Sequence, residues 1–241
     1  MAVTFVDAES VLPNESDISQ LVGAFDFVRL IPTGIQETTS TGVENRLGFI
    51  SSDSSWQLLL LGRQFQVARI STNPTGTDLG EFAVFCQQAN IMLQWVLNRF
   101  QRNPHRLAAL REGYLAEKSE DELNTTAQRL LNFSDTYRNN PLNEWDWRLS
   151  ALVNREFGGL QEVTNTITTI KRINAFISSA SSPVTTAPSR FTRIRVDLDI
   201  NTSQHNTAAR FRSEHISAFF ERVIIWHDEL RNEISHLIGE G

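Results

Sequence analysis

The chain has 241 residues, 40% of them hydrophobic and 21% charged, a composition that excludes a disordered or fibrous chain and suits one domain or two small ones. A net charge of −6 speaks against a general nucleic-acid binder, and a single cysteine, Cys86, excludes an internal disulfide framework. No run approaches the ~20 apolar residues of a membrane helix, and Met1–Asp7 has neither a basic region nor a signal-like apolar stretch, so a cytoplasmic setting is expected.

In chain order, residues 1–24 are mixed and polar, with a short helix expected from Ser16 to Val22. Phe25–Ile31 alternates like a strand and stops at Pro32. Residues 32–43, rich in Thr, Gly and Ser, read as a flexible loop. Three strand-like runs follow, Val43–Ser51, Trp56–Leu61 and Phe65–Ile70. Short turns at Ser52–Ser55 and Gly62-Arg63 make them antiparallel neighbours. Asn73–Gly76 breaks the pattern, and Asp78 with Glu81 three residues on reads as a capping box. Leu79, Phe82, Cys86, Ala89, Leu93, Val96 and Phe100, at spacings of three and four, predict a long amphipathic helix that ends before Pro104. Its buried stripe carries Cys86 as a structural thiol. His105–Glu117 fits either period, with Gly113-Tyr114 favouring a strand. Ser119 with Glu122 is a second capping box, opening a helix to about Leu131.

Residues 134–144 form a polar loop. Trp145, Trp147, Leu149, Ala151 and Val153 then alternate with Asp146, Arg148 and Ser150, which predicts a half-buried strand. Gly158-Gly159 turns it into a β-branched run, Val163–Ile173. Residues 178–189 are a low-complexity loop. In the strand Phe191–Ile200, Ile194, Val196, Leu198 and Ile200 face inward and Arg193, Arg195, Asp197 and Asp199 outward. A helix from about Asn206 to Ile238 closes the chain, with Ile216, Phe220, Val223, Leu230, Ile234 and Leu237 on one side. The fold class is α+β, antiparallel meander strands followed by a long helix. The order occurs twice, in 43–101 and 145–238. An internal duplication is expected, within a single domain of two pseudo-repeated halves, about 25–133 and 141–241.

The last fifty residues carry Arg195-Val196-Asp197-Leu198-Asp199-Ile200, then a helix with Phe219-Phe220, Trp226-His227 and Ile234. This region resembles a sporadically distributed family of uncharacterised bacterial proteins. Its members end with a Leu-Asp-Ile-Asp-like strand, a polar gap and a helix with a central His. The resemblance implies the strand–helix architecture and a bacterial, cytoplasmic setting, and it implies no activity. Separately, Arg231-Asn232-Glu233-Ile234-Ser235-His236 matches the Arg-Asn-x-x-x-His signature of HEPN ribonucleases. That likeness implies RNA cleavage, with His236 moving a proton and Arg231 facing phosphate. HEPN domains are all-helical, whereas this helix follows a strand-rich half.

Asp197 and Asp199 share a strand face and have the chemistry to hold Mg²⁺ or Mn²⁺. Arg193 and Arg195 occupy the same face, with Asp146 and Arg148 close by, so a cross-strand salt-bridge ladder is the better reading. His227 reads as a core histidine, since no His or Cys stands at metal spacing to it. Of the basic residues only Lys118 and Lys171 are Lys, the rest Arg. Arg99–Arg111 contains no Asp or Glu and is the best electropositive candidate. Arg in place of Lys, five Trp, fifteen Phe and a Thr-rich exposed sheet face favour a non-catalytic protein-interaction or accessory subunit of a bacterial multi-component system. Arg148, Arg193, Arg195, Asp197 and Asp199 would contact the partner, another protein. No cofactor or metal is expected. The alternatives are a HEPN-like ribonuclease using Arg231 and His236, and a small-molecule sensor with a pocket between the two halves.

Overall fold

The computed structural model describes residues 1–40, 42–71, 78–140, 142–177 and 189–239. The expected break at Asn73–Gly76 and nearly all of the low-complexity stretch 178–189 lie outside them. Among the described residues one antiparallel sheet of nine strands is accompanied by five α-helices, an α+β architecture.

The strands are β1 (Ala2–Phe5), β2 (Leu30–Thr39), β3 (Gly42–Ser51), β4 (Trp56–Leu60), β5 (Gln64–Arg69), β6 (Arg106–Tyr114), β7 (Asp146–Phe157), β8 (Leu160–Ile177) and β9 (Ser189–Thr202). The helices are α1 (Glu15–Ala24), α2 (Phe82–Arg99), α3 (Glu120–Leu130), α4 (Asp135–Arg138) and α5 (Ser213–Ile238). The sheet order is β2-β3-β4-β5-β1-β6-β9-β8-β7. The three-strand meander followed by a long helix does occur twice, as β3–β5 then α2 and as β7–β9 then α5. In the sheet β1 and β6 stand between the two meanders. Two compact units form, and they interleave in sequence.

The first unit comprises Met1–Leu110, Leu152–Asn165 and Ile200–Ile225. Its central strand is β1, within the segment read as mixed and polar, where no strand was expected. Ala2 opposes both Val67 and Ala109, and Ala2, Val3 and Thr4 are buried. A four-residue strand carries too few apolar positions to announce itself, and it is made by pairing on both sides. The expected loop at 32–43 is instead the β2–β3 hairpin, in register from Leu30↔Ser51 to Thr39↔Gly42. Arg46 holds it by bonding Glu37 at 3.2 Å and Glu44 at 2.5 Å. The expected strand at 25–31 is a 3-10 turn, Asp26–Val28, released by Arg29 at φ 48.

The turn at Ser52–Ser55 forms as expected. Asp53 accepts from Ser51 Oγ and from the Ser55 amide and hydroxyl, and these bonds hold its carboxyl at about 2. The amphipathic stripe of α2 buries Phe85, Cys86, Ala89, Met92, Leu93 and Val96. Complete burial of one such side chain contributes roughly 1.5–3 kcal/mol. The capping box expected at Asp78 does not cap it. Glu81 is the N-cap, without a side-chain bond, and Asp78 binds Ser71 instead.

The second unit comprises Arg111–Ala151, Thr166–Asp199 and Trp226–Gly241. Ser119 and Glu122 do make the capping box of α3, each side chain bonding the other's backbone N–H. Leu123, Ala127, Trp145, Ile170, Ile194, Leu198, Ile234 and Ile238 form its core. Arg129 closes the end of α5 by donating to Ile238 O at 2.9 Å. The alternation of β9 is as expected, with Ile194, Leu198 and Ile200 buried.

Two expectations for the β7–β8 hairpin are overturned. The middle of β7, an edge strand, is not half-buried: on the face expected to point inward Leu149 is 58% exposed and Ala151 is exposed as well. In β8 three threonines face the core. Thr164, Thr166 and Thr168 are buried, while Val163, Ile167 and Thr169 alternate onto the other face. The turn between the strands needs Gly158 and Gly159, at φ 57 and 74, the geometry of the two-residue hairpin turn whose twist suits the strands.

Candidate functional site

The core-facing and opposite faces of the second unit's strands follow from alternation. Ile194 and Leu198 of β9, and Thr168 and Ile170 of β8, are buried. Arg193, Arg195, Asp197 and Asp199 therefore project from the opposite face, with Ile167, Thr169 and Lys171 of β8. Trp147 of β7 packs on the core, which turns Arg148 to that opposite face as well. The structure thus brings all five residues expected to bind a partner, Arg148, Arg193, Arg195, Asp197 and Asp199, onto one sheet face.

Part of the expected ladder is there, made through Arg195 and Asp197 with Glu112 and Lys171. Arg195 Nε donates to Asp197 Oδ1 at 2.6 Å, its Nη2 reaches Glu112 Oε1 at 2.6 Å, and Lys171 Nζ lies 3.6 Å from Asp197 Oδ2. The cluster runs across β6, β9 and β8, and its charges are half-buried among their neighbours. Burial works against the charge of Arg195. The hydrogen bond and charge of Asp197, then Glu112 and Tyr114, outweigh it and raise the guanidinium above its ordinary range. The paired aspartate is thereby committed to arginine and lysine. Among the described residues no group of three or more His, Cys, Asp or Glu is placed to hold a metal ion.

Glu112, Tyr114 and Lys171 belong to this face and were missed in the sequence. Their signal is the alternation opposite Leu107 and Ala109, and opposite Thr168 and Ile170. Which strands adjoin decides that they meet Arg195 and Asp197.

The other candidates distribute differently. Arg231 and His236 are exposed on α5, and residues five apart on a helix point about 140° apart. His227 and Cys86 are fully buried. The electropositive stretch Arg99–Arg111 is matched by partners from distant sequence. Arg99 binds Asp17 at 2.5 Å, Arg102 binds Ser10 at 2.7 Å, and Arg111 binds Asp228 at 3.4 Å. Bonds from Asn14 and then Arg99 hold the Asp17 carboxyl below its usual range, against the effect of burial. Arg106 stacks 4.5 Å over the Phe5 ring and bonds Asn201 at 2.9 Å.

In the first unit Arg210 forms a bidentate pair with Glu162 at 3.0 and 2.8 Å. It also donates to the carbonyls of His105 and Asn206 and lies 4.4 Å over the Phe211 ring. In the second unit a polar recess is lined by Asn124, Gln128, Phe133, Tyr137 and Asn139. No described helix is long and apolar enough to cross a membrane. The chain matches no family model, no curated protein and no solved structure.

Proposed function

We propose that the chain is a non-catalytic accessory subunit that docks another protein on the sheet face bearing Arg148, Arg193, Arg195, Asp197 and Asp199. The observation that carries this reading is the make-up of that face. Cations on β7, β8 and β9 alternate with the carboxylates of Glu112, Asp197 and Asp199, and Ile167 and Tyr114 lie among them. A phosphate backbone calls for an unbroken cationic track, because affinity comes from displaced counterions. Interleaved signs with apolar and aromatic groups suit a folded protein surface, where charge placement selects the partner and its orientation. The resemblance of the C-terminal region implies a bacterial, cytoplasmic setting, and an accessory role in a multi-component system suits that setting.

The test is affinity capture from the native host, with wild type and with Arg193→Glu combined with Asp199→Arg. Like charges facing each other at a desolvated interface cost on the order of several kcal/mol. One stoichiometric partner is expected with wild type and none with the variant. Equal recovery by both would reject this face. RNA cleavage by the purified chain, lost in His236→Ala or Arg231→Ala, would replace this reading by the ribonuclease one.

A further inference from the structure

We infer that α2 is a dimerisation helix, packing antiparallel on α2 of a second copy about a two-fold axis between Gln87 and Gln88. The inference is independent of the proposed partner face, whose residues all belong to the second unit, because α2 lies wholly within the first.

α2 carries no charged side chain from Phe82 to Asn98. Its outward line runs through Val84, Gln87, Ile91 and Asn98, all exposed, with Gln88 half-buried beside them. Val84 is 44% and Ile91 57% exposed. The solvent side of a globular helix ordinarily carries charge, as α3 does with Glu120, Asp121, Glu122 and Arg129. Large aliphatic side chains on an uncharged line are instead the make-up of a packing surface.

α2 is the middle helix of a layer in the first unit. On one side α1 is tied to it by Arg99 to Asp17 at 2.5 Å and by the edge contact of Phe25 with Trp95, 5.6 Å between ring centres. The exposed residues Ser16, Ser19, Gln20 and Gly23 of α1 are uncharged as well. On the other side Gln94 Nε2 donates to Ser217 Oγ of α5 at 2.6 Å. Three helices of about 10 Å diameter side by side, counting the first half of α5, present a face of roughly 600 Å² in projection. That is commensurate with the about 800 Å² of accessible surface that a stable interface covers on each partner.

Charge and register identify the occupant. Copies of a chain with net charge −6 repel one another, and an uncharged helix line is where they can meet without adding like-charge contacts. The line is also its own complement when reversed. A two-fold axis between Gln87 and Gln88 sets Val84 against Ile91 of the second copy, twice by symmetry, and sets each glutamine beside its own copy. Paired amides donate and accept in turn, and polar residues in an apolar seam fix its register. Moving the axis to Ile91 would oppose Val84 with Asn98. Moving it to Val84 would carry Ile91 past the start of the helix. Only the first arrangement sets apolar against apolar.

The experiment measures the mass of the full chain by sedimentation equilibrium at tens to hundreds of micromolar. A dimer of the 27.3 kDa chain is expected. Val84→Glu alone, and Ile91→Lys alone, should weaken it by at least about tenfold. Both sites are exposed, so the melting temperatures of these variants should stay close to wild type. The double variant sets opposite charges against each other twice, and it should dimerise at least about tenfold more tightly than either single variant. A second measurement does not depend on those variants. Gln87→Cys should cross-link to its own copy under mild oxidation, because residues at the axis stand at disulfide distance. Ile91→Cys should not, because its copy lies about 10 Å away along the helices. A monomeric wild type, including one that instead takes up a helix from another protein, would overturn the inference. So would a dimer indifferent to the single variants, a double variant no tighter than they are, or efficient cross-linking through Ile91→Cys.

Discussion

Glu162→Gln tests how the first unit holds its charges. The Glu162 and Arg210 side chains are 9% and 14% exposed, so the pair is nearly removed from water. Two parallel N–H···O bonds join them, and Arg210 fixes the segment before α5 through carbonyls of His105, Asn206 and Ala208. The amide of Gln keeps the shape but removes the negative charge. Arg210 is then a buried cation with only neutral acceptors. Removing one member of a buried pair costs about 3–5 kcal/mol, and a shape-preserving change belongs at the low end, about 3 kcal/mol. For a chain of this size that lowers the melting temperature by roughly 6–12 °C. Replacing both residues, Glu162→Leu with Arg210→Met, removes the stranded charge and should be much less damaging than the single change. Calorimetry of the three proteins decides the matter. A single variant that melts like wild type would refute the reasoning, for it would mean that the neutral carbonyls alone satisfy Arg210.

His105 supplies a pH test. Burial first, then the charges of Arg210 and Arg106, lowers its pKa from the ordinary 6.5, so folding favours the neutral imidazole. The unfolded chain binds the proton more readily, so this contribution is complete above pH 6.5 and is lost as pH falls towards the depressed folded value. Melting temperatures should therefore drop below pH 6.5 in wild type and less steeply in His105→Gln. Equal slopes would remove His105 as the cause. Ser119→Ala deletes the α3 capping box and should cost about 1 kcal/mol, read as a shifted urea midpoint at unchanged slope.

The α+β class was legible in the sequence because its signals are local. The 3.6-residue stripe of α2, the Ser119–Glu122 box of α3, the Asp53 turn and the alternation of β9 each depend on residues a few positions apart, and each is present. The i, i+2 spacing likewise placed Arg193, Arg195, Asp197 and Asp199 together before any contact was known.

What tertiary structure alone decided is pairing between segments distant in sequence. β1 is a strand because Val67 and Ala109 lie on either side of it, and nothing in Ala2–Phe5 names those partners. Arg99–Arg111 reads as a bare cationic run until Asp17 and Asp228 arrive from elsewhere in the chain. Alternation in β7 and β8 reports two faces but not which is covered. Burial is set by the neighbouring elements, and they put Thr164, Thr166 and Thr168 in the core and leave Leu149 in water. Likewise, alternation assigns Glu112 and Lys171 to a face of their own strands, and only the β6-β9-β8 order brings them to Arg195 and Asp197.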